Sequence, residues 1–127
     1  MTEEEFKYRT KQIALRIIKL VDSLPRTSSA NTIAKQLLRS GTSIGANYRA
    51  ACRGKSPADV IHKMSIVEEE GDESIYWMEL LIESGTVSEK KLSPLISDVN
   101  EIVAMTVSSI KTLRKRQSHS KIQNLKS

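Results

Sequence analysis

At 127 residues with a net charge of +5, the chain is long enough for one domain with a real core, and aromatics at 4% leave that core to Ile, Leu, Val, Met and Ala. An aliphatic interior suits helices better than sheets, where aromatic and β-branched residues are favoured. A lone cysteine, Cys52, excludes an internal disulfide and points to a reducing cytoplasm; the acidic start Glu3-Glu4-Glu5 is unlike a secretory signal, and no apolar run nears the roughly 18 residues of a membrane span.

The first helix is expected over about residues 3–24. Phe6, Ile13, Ile17, Leu20 and Leu24 recur at three- and four-residue spacing, widened by Ala14, Ile18 and Val21. The three glutamates sit in its first turn, where carboxylates suit the helix dipole, and Pro25 forbids straightforward continuation.

The second helix is expected from Ser28 or Ser29, either able to cap it, to about Arg53. Ile33, Leu37, Ile44, Tyr48 and Ala51 follow helical spacing, and Gly54 stands where a left-handed residue closes a helix. Its stretch Arg39-Ser40-Gly41-Thr42-Ser43-Ile44-Gly45-Ala46-Asn47 is crowded with residues that helices tolerate poorly. Each interior glycine costs roughly 1 kcal/mol relative to alanine. Gly41 and Gly45, four residues apart, therefore read as a surface for close helix approach.

Ser56-Pro57-Ala58-Asp59 opens the third helix, with Ser56 as cap, Pro57 in the first helical position and Asp59 completing a box-like arrangement. Val60, Met64, Val67, Gly71, Ile75, Met78 and Ile82 form its stripe, and Gly85 ends it. The fourth helix carries the most regular stripe: Leu92, Leu95, Val99, Ile102, Thr106, Ile110 and Leu113. Pro94 leaves two starts open, Ser88 and Ser93. Four amphipathic helices on short links predict an all-α, up-down-up-down antiparallel bundle over residues 1–116. Residues 117–127 form a polar, basic C-terminal tail expected to fray.

Two faces point away from the expected core. Ile66, Trp77 and Leu80 make a second apolar set on the third helix, the mark of a helix buried on more than one side. In a four-helix monomer that second burial comes from another subunit. On the second helix, Lys35, Arg39, Arg49 and Arg53 share a ridge. In an antiparallel hairpin turning near Ser56, Arg39 lies level with Glu73, Ser43 with Glu69 and Asn47 with Ser65. Pairing is favoured for Arg39, while Arg49 and Arg53 stay open to phosphate.

Charge is unevenly spread along the chain. Residues 1–57 hold eleven Lys/Arg against four Asp/Glu, residues 58–85 one against eight, and residues 86–127 eight against three. Adjacent basic and acidic helices would largely neutralise each other. The candidate nucleic-acid contacts are Arg49, Arg53 and Lys55 with Lys111, Arg114, Lys115 and Arg116; no aromatic interleaves with the last four, so binding there would be backbone-driven and salt-dependent.

Residues Arg39 through Asn47, followed by Ser56, Ile61, Lys63, Ile66, Glu73, Tyr76-Trp77 and Leu80-Leu81, resemble the four-helix-bundle proteins of the 23S rRNA intervening-sequence family. The resemblance covers roughly residues 5–115. It implies an up-down bundle assembled as a ring-like homopentamer, without established enzymatic activity. It also implies kinship to the nucleic-acid-binding accessory proteins of diversity-generating retroelements. Where many members follow the asparagine with an apolar residue and Ala-Glu-Gly, this chain has Tyr48-Arg49-Ala50-Ala51, like the subgroup with Asn-Tyr-Arg.

Catalytic chemistry finds little footing. No histidine is placed to activate Cys52, and Ser43 has no general base by motif. Asp59-Val60-Ile61-His62 is half of a bundle metal motif, but the other histidine, His119, lies in the tail. No catalytic, metal or cofactor site is expected, nor a small-molecule substrate or membrane. The expectation is a non-catalytic homo-oligomer that binds structured RNA or DNA. Its alternative is a protein–protein scaffold without a nucleic-acid role.

Overall fold

The computed structural model describes residues 1–126, which form four helices and no strand: α1 (Glu3–Asp22), α2 (Ser28–Cys52), α3 (Pro57–Glu83) and α4 (Glu89–Lys126). Links of a few residues make consecutive helices antiparallel neighbours, and α4 closes the ring against α1. The antiparallel register shows in side chains that meet across each seam. Ile17 stands against Gly41, Arg39 bonds Glu73, and Val103 packs on Gly71.

Helix starts follow cap chemistry. Thr2 Oγ1 accepts from the Glu5 amide and Ser56 Oγ from the Asp59 amide, both at 3.1 Å. Asp59 Oδ2 in turn accepts from the Lys55 amide at 3.2 Å, one residue before the cap, so the return bond of the expected box goes to Lys55 rather than to Ser56. The cap of α2 is Thr27, not Ser28 or Ser29: its hydroxyl accepts from the Ala30 amide at 3.2 Å. Ser88 settles the start of α4, accepting from the Lys91 amide through both its hydroxyl and its carbonyl. Pro94 then lies inside the helix. The bond it cannot donate would have gone to the carbonyl of Lys90, an exposed residue in the first turn.

Two expectations about helix ends need correction. Gly54 does not close α2 in a left-handed conformation; among the described residues only Gly85 has positive φ, at 75°. Gly54 serves close approach, since a Cβ there would overlap Val60 Cγ2. Residues 117–126, expected to fray, continue α4 as helix.

Phe6, Ile13, Ile17 and Leu20 of α1 meet Leu37 and Ile44 of α2, Val67, Met78 and Leu81 of α3, and Leu92, Leu95, Val99 and Ile102 of α4 in one core. A smaller cluster, Ala51, Met64 and Ile110, fills the end where α2 stops and α3 starts. Polar residues also enter the interior. Thr10, Ser40, Ser74 and Thr106 are buried, and each places its hydroxyl on a carbonyl of its own preceding turn. Ser74 Oγ also stands 2.9 Å from Ser40 Oγ, a hydroxyl pair across the α2–α3 seam. Among the described residues no buried side-chain polar atom lacks a partner, which removes the desolvation cost of these positions.

Candidate nucleic-acid interface

The glycine-rich stretch of α2 works as a seam. A Cβ at Gly41 would overlap Ile17 Cδ1 and stand 3.1 Å from its Cγ2. One at Gly45 would lie 3.0 Å from Thr10 Oγ1. Ser43 Oγ donates to the Arg39 carbonyl at 2.6 Å, and Asn47 Nδ2 to the Ser43 carbonyl at 2.9 Å. Both polar groups thus complete bonds inside α2 rather than reaching Glu69 or Ser65. Arg39 does reach α3: Nη2 donates to Glu73 Oε1 at 2.6 Å and Nη1 to both Glu70 oxygens at 3.2 Å. Trp77 Nε1 donates to the same Glu73 oxygen at 3.2 Å.

The narrow α1–α4 seam is clamped by charge. Arg9 bonds Glu101 at 2.9 Å, and Arg16 bonds Asp98 at 2.5 Å. Hydrogen bonds from Arg39 and Arg9 hold the Glu73 and Glu101 carboxyls below their ordinary range. A carboxylate depressed in the fold stabilises it above its unfolded pKa, and that contribution is lost as pH falls through the folded value. Glu73→Gln should therefore flatten the acid limb of a melting-temperature profile below about pH 4.5, with the neutral limb little changed because the pair is exposed. An acid limb identical to wild type would contradict this.

The seven candidate contacts are all exposed, and six of them, Arg53, Lys55, Lys111, Arg114, Lys115 and Arg116, lie toward the end of the bundle where α2 stops, α3 begins and α4 runs on. Lys55 and Arg116 come together across a cleft of about 460 Å³ between the α2–α3 link and α4, with Pro57, Val60 and Ser120. Arg116 also borders a cleft of about 410 Å³ with Glu3, Tyr48, Cys52, Met64 and Thr112. Burial pushes the Cys52 thiol and the Tyr48 phenol above their ordinary values, so the thiol is protonated at neutral pH and a weaker nucleophile. Lys111, Arg114 and Lys115 face outward on α4. Arg53 caps α2.

Arg49 stands apart from this group. It borders a groove between α1 and α2 with Lys7, Tyr8 and Lys11, over Thr42, Gly45 and Ala46. Sequence reasoning missed these α1 residues. Folding the first two helices about Pro25 places Lys7 level with Ser43 and Tyr8 with Thr42, so hairpin register alone did not point to Arg49. Tyr8 is 65% exposed, while Lys7 is shared with Glu3 and Glu4 at 3.7 and 3.8 Å.

Of the expected outer apolar set on α3, Ile66, Trp77 and Leu80 are all half-buried. Trp77 packs partly against the core, and Tyr76 beside it is 53% exposed. Among the described residues no group of three or more His, Cys, Asp or Glu is placed to hold a metal ion. No described helix is long and apolar enough to cross a membrane.

Comparison with known proteins bears on this arrangement. The family described as 23S rRNA-intervening sequence protein matches residues 3–108. A solved structure from Bacteroides thetaiotaomicron, described as a protein of unknown function from the S23 ribosomal protein family, is similar at 37% identity with a TM-score of 0.81, covering 87% of this chain and 99% of that one. None of the curated proteins matches the chain.

Proposed function

The chain belongs to the 23S rRNA-intervening sequence protein family, and on that premise we propose that it is a non-catalytic, cytoplasmic homopentamer that binds RNA or DNA through its basic end. The observation that carries the reading is how the cations are sorted. Mid-bundle Arg9, Arg16 and Arg39 are neutralised by Glu101, Asp98, Glu70 and Glu73. Among the described residues, none of Arg49, Arg53, Lys55, Lys111, Arg114, Lys115 and Arg116 takes part in an ion pair. Lys19, Arg26, Lys90 and Lys91 toward the other end also make no ion pair among the described residues, but six of the seven gather where α4 runs on without a carboxylate after Glu101, and that density raises the local potential for polyanions. Repetition around a ring multiplies a weak surface into a strong one.

Binding is tested by fluorescence anisotropy with a labelled structured RNA and a labelled duplex DNA across a salt series. The reading requires affinity that falls steeply with salt, as counterion release dictates; no binding of either at 50 mM salt would overturn it. Ile66, Trp77 and Leu80 supply the subunit contact in this reading. Because Trp77 also packs inward, Ile66→Asp and Leu80→Asp are the cleaner probes. Each should reduce the assembled mass seen in sedimentation while helix content is kept. Unchanged mass would remove this face from the interface.

A protein-recognition scaffold is the second reading, favoured by the exposed Tyr8, Leu15 and Ile18 along one side of α1. Indifference to nucleic acid by an intact oligomer would put it first.

A further inference from the structure

Beyond the bundle, α4 carries on alone. The cleft against the α2–α3 link takes in α4 residues up to Ser120, and every described residue from Ser118 onward is exposed. The family match stops at residue 108, so this segment lies outside what the family shares. From Lys111 to Lys126 it measures about 24 Å at 1.5 Å per residue. The sequence has no Asp or Glu after Glu101 and no aromatic after Trp77.

Its cations are sorted by face. At 100° per residue, Lys111, Arg114, Lys115, Lys121 and Lys126 fall within about 140° of the circumference. Leu113 and Gln117, the half-buried positions, lie outside that arc, Leu113 across from it and Gln117 next to its Lys121 edge. Arg116 points away from the stripe, into the clefts described above.

Resting on the nucleic-acid reading, we infer that this stretch of α4 is an arm that docks lengthwise in the major groove of duplex DNA, gripping phosphates without reading sequence. The dimensions fit: a helix about 10–12 Å across enters the roughly 12 Å major groove of B-DNA. The deep, narrow major groove of A-form RNA excludes it. Single strands are a poorer fit, because the arm offers no aromatic platform for bases. A membrane surface is poorer still, since only Ile122 and Leu125 provide apolar area on the outward face.

The test compares the full chain binding one random 20-base-pair sequence as duplex DNA, duplex RNA and single strand, with phosphatidylserine vesicles as competitor. Duplex DNA should bind at least tenfold tighter than duplex RNA. Lys121→Gln with Lys126→Gln should reduce the slope of log K against log salt by nearly 2, about 0.9 for each lost phosphate contact. Circular dichroism should show helix content unchanged. Equal affinity for duplex RNA, an unaltered slope in the double variant, or preference for the vesicles would each overturn the arm. If duplex DNA still binds but the double variant behaves as wild type, the arm fails while the basic end stands. If no nucleic acid binds at any salt, both fail together.

Discussion

Gly41→Val should lower the stability of the fold by about 3 kcal/mol in urea denaturation, although it removes a residue that helices disfavour. Helix propensity alone favours almost any replacement of an interior glycine. Packing opposes it. The position is buried, a Cβ would overlap Ile17 Cδ1, and Cγ1 and Cγ2 of that side chain stand at 3.3 and 3.1 Å. Ile17 itself has no exposed surface, so it cannot swing aside without displacing the core. Overpacking of this kind costs about 1–3 kcal/mol, and a β-branched side chain belongs at the upper end. Ile17→Ala made together with Gly41→Val should recover part of the loss, because it vacates the volume that the new side chain needs. A stable Gly41→Val protein, or no recovery in the pair, would mean that the α1–α2 seam is not held by close approach.

Reversing Arg53, Lys55 and Arg116 to glutamate should weaken binding of a structured RNA by about 100-fold or more at 0.1 M salt, measured by anisotropy. The change replaces three exposed, unpaired cations at one end with like charges facing phosphate, and such juxtapositions cost several kcal/mol. These residues lie outside the core, so the melting temperature should move little. A reversal of Lys19, Lys90 and Lys91 makes the same net change at the other end and serves as control. If both variants lose affinity equally, binding follows net charge rather than a surface, and the basic end has no special role.

Much of this architecture was legible from residue spacing. The stripe from Leu92 to Ile110 in α4 is buried at all six positions, because aliphatic residues at helical spacing have few other uses. The interior of α1, α2 and α3 was less transparent. Ser40, Ser74 and Thr10 are core residues by position, yet their polarity hides them from a hydrophobic pattern. What makes them acceptable is a carbonyl one turn back in the same helix, visible only once the helix exists. The α2 cap shows a related limit: Thr27, Ser28 and Ser29 all carry a capping hydroxyl, and backbone geometry chooses among them. The course of α4 past Lys115 was illegible for the opposite reason. With no apolar stripe to follow, the sequence reads as tail, whereas helix-favouring lysine, arginine and glutamine continue the backbone pattern already begun.

The candidate residues could be named from the sequence, but where the fold places them relative to one another could not. Arg39 was assigned to Glu73 from hairpin register, and the bond is present. The same arithmetic applied to the first hairpin about Pro25 sets Lys7 against Ser43 and Tyr8 against Thr42, six residues short of Arg49, so it would not have joined Lys7, Tyr8 and Lys11 to Arg49. Glycine packing brings those helices close enough to make a shared groove.

The most direct test of the central claim is absolute mass by light scattering, with and without a mixed RNA and DNA pool, across a salt series. The account predicts a particle five times the 14.2 kDa chain that gains nucleic-acid mass at low salt and releases it at high salt. A monomer, or an oligomer whose mass ignores nucleic acid at every salt concentration, would contradict it.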